Sequence, residues 1–176
     1  MPGVASQRFR IYNAEQFKEA FDESANTKMY IFVARPAPWA DESVAPTPID
    51  TIQESRFEPW RNMLAAHRVT GTDITFAIPR KNWTSGTVYD EYDSNSTTYF
   101  NGNFYVNVAQ PGNTFNVYKC IFNNRGAAST VEPSGISTSI ISTSDGYRWK
   151  FMYSISEAEA LKFVSSDFIP VKTLTS

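Results

Sequence analysis

The apolar positions of the chain fall into short segments of two different periods. Over residues 13–25, Phe17, Ala20, Phe21 and Ser24 share one stripe of 3.6-residue period, with acidic residues opposite. Asn13 and Gln16 have capping-box spacing, so the pattern predicts an amphipathic helix over 14–25. Met29–Ala34 (MYIFVA) is continuously apolar, rich in β-branched and aromatic residues, and reads as a buried strand. Residues 35–50 carry four prolines in sixteen positions around Trp39, which forbids a helix, blocks sheet ladders and predicts an ordered extended arm. Trp60, Met63, Leu64 and His67 then follow i, i+3, i+4, i+7 behind Pro59, a residue suited to the first helical position, and predict a short helix over 59–67. Ile74–Ile78 reads as a strand ended by Pro79.

The second half changes character. Only Lys119, Arg125 and Glu132 are charged in the 51 residues from 94 to 144, and Asn, Ser, Thr and Gly fill the gaps. Asn101-Gly102, between Tyr99-Phe100 and Phe104–Val106, is a strong hairpin signal. Phe115–Phe122, Ile136–Ile141 and Gly146–Ser154 read as further strands. In the last of these, Tyr147, Trp149, Phe151 and Tyr153 alternate with Arg148, Lys150 and Met152, which predicts one wholly aromatic face. Ser156 and Glu159 form a capping box with Ile155 and Ala160 at the staple positions, so a helix is expected over 157–164, with Leu161 and Phe163-Val164 toward the core. Asp167–Val171 leaves through Pro170. The sum is a mainly β chain, on the α+β borderline, read as one structural domain over 1–176 with its Pro-rich arm at 35–50 and two or three short peripheral helices.

Composition narrows the function. A net charge of −2, from 16 Lys+Arg against 18 Asp+Glu, gives no basic field for a phosphate backbone, so no nucleic-acid partner is expected. No apolar run approaches the roughly 18 residues of a membrane span, and Met1–Arg10 has no signal-peptide core, so the expectation is a soluble protein made in a cytoplasm. Asn82-Trp83-Thr84 and Asn95-Ser96-Thr97 fit the glycosylation pattern but read as accidents of an Asn- and Thr-rich chain.

Catalytic chemistry finds little support. One histidine, His67, and one cysteine, Cys120, leave no zinc set and no internal disulfide. His67 reads as a partly buried core histidine, although a small hydrolase would have to use it. Cys120, inside FNVYKCIF, reads as an inert buried thiol. Asp90, Glu91 and Asp93, with Asn95 beyond, are the best metal candidates; their spacing departs from a calcium loop, and a solvated acidic turn is the better reading. Neither a phosphate-binding loop nor a dinucleotide fingerprint is present. The expectation is therefore a protein that is not an enzyme and has no cofactor, metal or small-molecule substrate.

The unusual feature is aromatic content, 13 Phe, 9 Tyr and 4 Trp in 176 residues. Interfaces are enriched in such side chains and in Arg, and anchors of this kind carry most binding energy. The candidate partner contacts are Arg35, Trp39, Asp41 and Glu42 in the arm and Arg80, Trp83, Tyr89 and Tyr92 in loop-like stretches. For the loop aromatics, capping of the core is an equal alternative. Exposed aromatics would also suit a receptor- or carbohydrate-binding β module.

The ordered segments YIFVARPAPWADE (30–42), FAIPRKNWTSGTVYDEYD (76–93), FYVNV (104–108), VYKCIFNNRGAAST (117–130), TSDGYRWKFMYSI (143–155) and KFVSSDFIPV (162–171) resemble the N-terminal part of the baseplate wedge protein family of T-even-type contractile-tailed bacteriophages. Asp145–Lys150 and Pro79–Trp83 carry the most specific likeness. The resemblance implies a mainly β, sandwich-like fold and a structural role in the viral tail. It also implies homodimers, contacts to other baseplate wedge proteins, assembly in the host cytoplasm and a place in the virion.

Overall fold

A computed structural model describes residues 6–23, 28–35, 37–47, 51–96 and 102–172. The chain is mainly β with a few short helices, and it divides into two compact units, Met1–Ile74 and Thr75–Ser176.

The first unit contains α1 (Gln7–Glu19), β1 (Met29–Ala34), α2 (Ile52–Asn62) and β2 (Met63–Val69). Helix α1 starts earlier than the spacing at Asn13 predicts, because Ser6 is the cap: its hydroxyl accepts the Phe9 N–H at 3.2 Å. The helix also ends sooner, at Glu19, and Phe21 beyond it is buried with its ring edge-on to Phe17. Strand β1 has the predicted limits, and it pairs antiparallel with β2 from Met29 opposite Val69 to Ala34 opposite Met63. That pairing overturns the helix expected over 59–67. Helix α2 is capped by the Thr51 hydroxyl, holds Pro59 in its interior and stops at Asn62; Met63, Leu64 and His67 belong to strand β2. Ladder hydrogen bonds to β1 outweigh the local 3.6-residue pattern there. His67 is consequently exposed rather than partly buried, with Nε2 3.8 Å from an Asp73 carboxylate oxygen.

The second unit contains β3 (Ala77–Pro79), β4 (Tyr105–Gln110), β5 (Thr114–Phe122), β6 (Ile141–Ser142), β7 (Arg148–Ile155), α3 (Glu157–Phe163) and β8 (Phe168–Pro170). Strands β4-β5-β7-β6 form an antiparallel four-stranded sheet in that order, and β3 pairs with β8. The β4–β5 hairpin turns through Pro111-Gly112-Asn113, where Gly112 (φ 75°) and Asn113 (φ 54°) take the left-handed backbone these two residues tolerate best. The hairpin expected at Asn101-Gly102 involves residues 97–101, outside the described residues. Of the strand expected over 136–141 only Ile141 joins a ladder, together with Ser142 beyond it.

Each face of the sheet carries its own core. Val106, Val108, Tyr118, Cys120 and Trp149 pack with Tyr89 and Tyr147 on one side. Phe115, Val117 and Ile155 pack with Ala160 of α3 and Ile169 of β8 on the other. The aromatic face expected along β7 is split between them. Tyr118 pairs with Phe151 but Val117 pairs with Tyr153, so Met152 is an extra, bulged residue. Alternation resets across a bulge. Trp149 and Phe151 therefore join the first core, while Met152, Tyr153 and Ile155 join the second.

Helix α3 begins in the expected capping box: the Ser156 hydroxyl accepts the Glu159 N–H, and the Glu159 carboxylate accepts the Ser156 N–H at 2.8 Å. Val164 packs on the second core, but Leu161, about 100° around the helix from the buried Ala160, is exposed.

Candidate functional site

The four arm residues come together in one turn. The Arg35 guanidinium donates to both Glu42 carboxylate oxygens, at 2.7 and 2.8 Å, and lies 4.4 Å from the centre of the Trp39 ring. The Trp39 N–H donates to the same Glu42 carboxylate at 3.1 Å. Hydrogen bonding from Arg35 holds the Glu42 carboxyl below its ordinary range. Asp41 accepts from the Ser43 hydroxyl and N–H at 2.7 and 2.9 Å, which lowers its own pKa. These polar contacts hold the turn together, and it offers outward both the Trp39 ring, 38 % exposed, and the charged side chains of Arg35 and Glu42. Arg35 has φ 79°, a left-handed backbone that only the surrounding turn makes tolerable for arginine.

The four loop residues stand apart from one another in role. Tyr89 is 1 % exposed and lies edge-on to Tyr147 and Trp149 in the first core. Its hydroxyl accepts the Thr84 N–H at 2.7 Å, and its N–H donates to the Tyr147 hydroxyl. Such a side chain has no surface to give, so Tyr89 is a core residue and not a partner contact. Trp83 packs against the same core with its indole N–H on the Ser129 hydroxyl at 3.2 Å. Arg80 donates to the Ser165 carbonyl and to Asn82 Oδ1, both at 3.0 Å, bridging the chain before and after the sheet. Tyr92 is partly exposed, and its ring sits under the Lys119 ammonium at 3.8 Å. Asp90, Glu91 and Asp93 point to three different backbone N–H groups, those of Asn103, Asn123 and Asn95. Among the described residues no three His, Cys, Asp or Glu side chains converge as a metal set would require. Cys120 is fully buried, and burial first, then the charges of Glu91 and Asp90, push its thiol up to about 12.

An open apolar surface lies where the pattern predicts a buried strand. Ile31 and Val33 of β1 are 63 % and 60 % exposed on one face of the β1–β2 ribbon. Tyr30 and Phe32 occupy the other face. There, with Trp60 of α2 (74 % exposed) and Arg56, they line a groove of about 390 Å³. The apolar run MYIFVA predicts the strand but not its exposure. A single two-stranded ribbon has too few neighbours to cover both of its faces. Open apolar patches of this kind mark interaction sites.

The chain matches no protein-family model and no curated protein. No helix among the described residues is long and apolar enough to cross a membrane.

Proposed function

We propose that this chain is a structural subunit of a contractile phage tail baseplate wedge, in the virion, that binds neighbouring baseplate proteins and a second copy of itself during tail assembly and contraction. In this reading it performs no chemistry and carries no cofactor, metal or substrate. The observation that carries the reading is the exposed apolar ribbon of β1 and β2 with its aromatic groove. A freely diffusing protein pays for such a surface in aggregation, whereas a permanent assembly buries it. The baseplate assignment is supported by the ordered series of segments over residues 30–171. Arg35, Trp39, Asp41 and Glu42 form a preorganised turn directly after β1, suited to the rim of the contact.

Immunogold labelling of virions with an antibody to this chain tests the assignment. Label at the end of a contractile tail is the expected result. Label on fibre tips would replace it with a receptor-binding module. Absence of label from tails, with the epitope shown to be accessible after dissociation, would refute it.

A further inference from the structure

In the second unit a cleft of about 320 Å³ opens beside β3, lined by Ile78, Tyr105, Val117, Met152 and Tyr153, with Lys119 as its one charged lining residue. The two tyrosine hydroxyls are already committed to backbone: Tyr105 donates to the Pro79 carbonyl at 2.6 Å and Tyr153 to the Pro170 carbonyl at 2.9 Å. Their rings therefore present apolar surface to the cleft. Lys119 differs from Lys150 of β7 and from Lys81, in the loop after β3. Lys81 and Lys150 each donate to a backbone carbonyl, of Gly102 and Thr138. The Lys119 ammonium instead rests on the Tyr92 ring, and among the described residues no carboxylate lies within ion-pair distance of it. Lys150 is its cross-strand partner, so a second positive charge stands beside it. Burial, and then Lys150, lower the pKa of Lys119. A half-buried cation beside a like charge at the edge of an apolar cleft is a receptor for an anion attached to something apolar.

We propose that this cleft docks a segment of a neighbouring protein in which one large apolar side chain sits next to a carboxylate: the side chain fills the cleft and the carboxylate pairs with Lys119. The proposal rests on the reading of the chain as a subunit held by neighbours and supplies the chemistry of one of them. A segment fits better than a small molecule. The cleft lies at the small end of ligand cavities, which run from roughly 300 to 1,000 Å³, and it is open, so a free ligand would stay largely wet. A single buried anchor ringed by contacts that keep water from it is how protein interfaces use such a space.

The test is an NMR titration of the full ¹⁵N-labelled chain with N-acetyl-Phe-Glu-amide, its Gln and Lys counterparts, and hexanoate. The expected result is movement of the Val117, Met152 and Tyr153 amide signals, with the Glu probe binding roughly two- to fivefold tighter than the Gln probe, as one partly exposed ion pair allows. Lys119→Met should equalise the Glu and Gln probes. Val171→Phe, which adds bulk to the lining, should weaken every probe. The wild-type comparison of the Glu and Gln probes decides the charge question whether or not either variant folds. Unmoved cleft signals, or equal binding of the Glu and Lys probes, would overturn the proposal. Tighter binding of hexanoate than of the Glu probe would overturn it in favour of a small amphiphile. None of these failures alters where the chain is found on a tail, so the two readings fail separately.

Discussion

Replacing Asp145 by Asn should remove a carboxylate on which five donors of the second unit converge. One carboxylate oxygen accepts the Thr130 N–H at 2.8 Å, the Val131 N–H at 3.0 Å and the Ser129 hydroxyl at 3.1 Å. The other accepts the Thr143 hydroxyl and, at 3.3 Å, the Tyr147 N–H. Asp145 thereby ties the 129–131 stretch to the turn that launches β7. Burial opposes its charge, but the donors, Thr143 foremost, win and hold its carboxyl at about 2, against an ordinary 3.8. At about 1.4 kcal/mol per pH unit of difference, the charged form favours folding by about 2 kcal/mol at neutral pH. Because the folded-state pKa is the lower one, this stability is present above pH 3.8 and is lost as pH falls through about 2. Asn keeps the shape but turns an amide NH₂ toward a ring of donors. Urea unfolding of 5-fluorotryptophan-labelled protein, followed by ¹⁹F NMR at Trp149 so that the second unit alone is read, should show Asp145→Asn destabilised by at least about 2 kcal/mol at pH 7. The gap between the two proteins should close by about 2 kcal/mol by pH 2. Other carboxylates titrate equally in both and cancel. A gap that is constant between pH 7 and pH 2 would show that the charge of Asp145 contributes nothing.

Three further outcomes follow from the packing. Tyr89→Ala should cost about 3–5 kcal/mol in chemical denaturation, as expected for a buried aromatic, while Trp39→Ala should change stability by no more than about 0.5 kcal/mol; equal effects would mean that the assignment of one to core and the other to surface is wrong. Cys120, buried and with its thiol pushed up to about 12, should resist a disulfide reagent in the native protein at pH 8 and react at once in urea; rapid native labelling would contradict its burial. Ser156→Ala removes the hydroxyl that accepts the Glu159 N–H and should lower stability by about 1 kcal/mol, with amide exchange of the first turn of α3 accelerated; unchanged exchange would show the cap to be dispensable.

The partner residues read from sequence were found by type, and type does not say where a side chain ends up. Tyr89 and Tyr92 look alike in VYDEY. One is in the core because its hydroxyl meets the Thr84 backbone and its ring meets Trp149; the other is at the surface under a lysine. Lys119 escaped notice because a lysine inside an apolar strand reads as an outward-facing residue; its place beside Val117 and Tyr105 at a cleft depends on strands distant in sequence.

Local chemistry by itself determined the elements whose signals are short-range. Strands β1, β5 and β7, the capping box at Ser156 and Glu159 and the inert setting of Cys120 were all legible, because alternation, capping and apolar runs act between near neighbours. Tertiary structure decided what depends on pairing. It converted residues 63–67 from helix to strand because β1 needed a partner, and it divided the aromatic face of β7 at Met152 because β5 sets the register there. It also left MYIFVA open instead of buried, since a run of apolar side chains specifies a strand but not how many layers cover it.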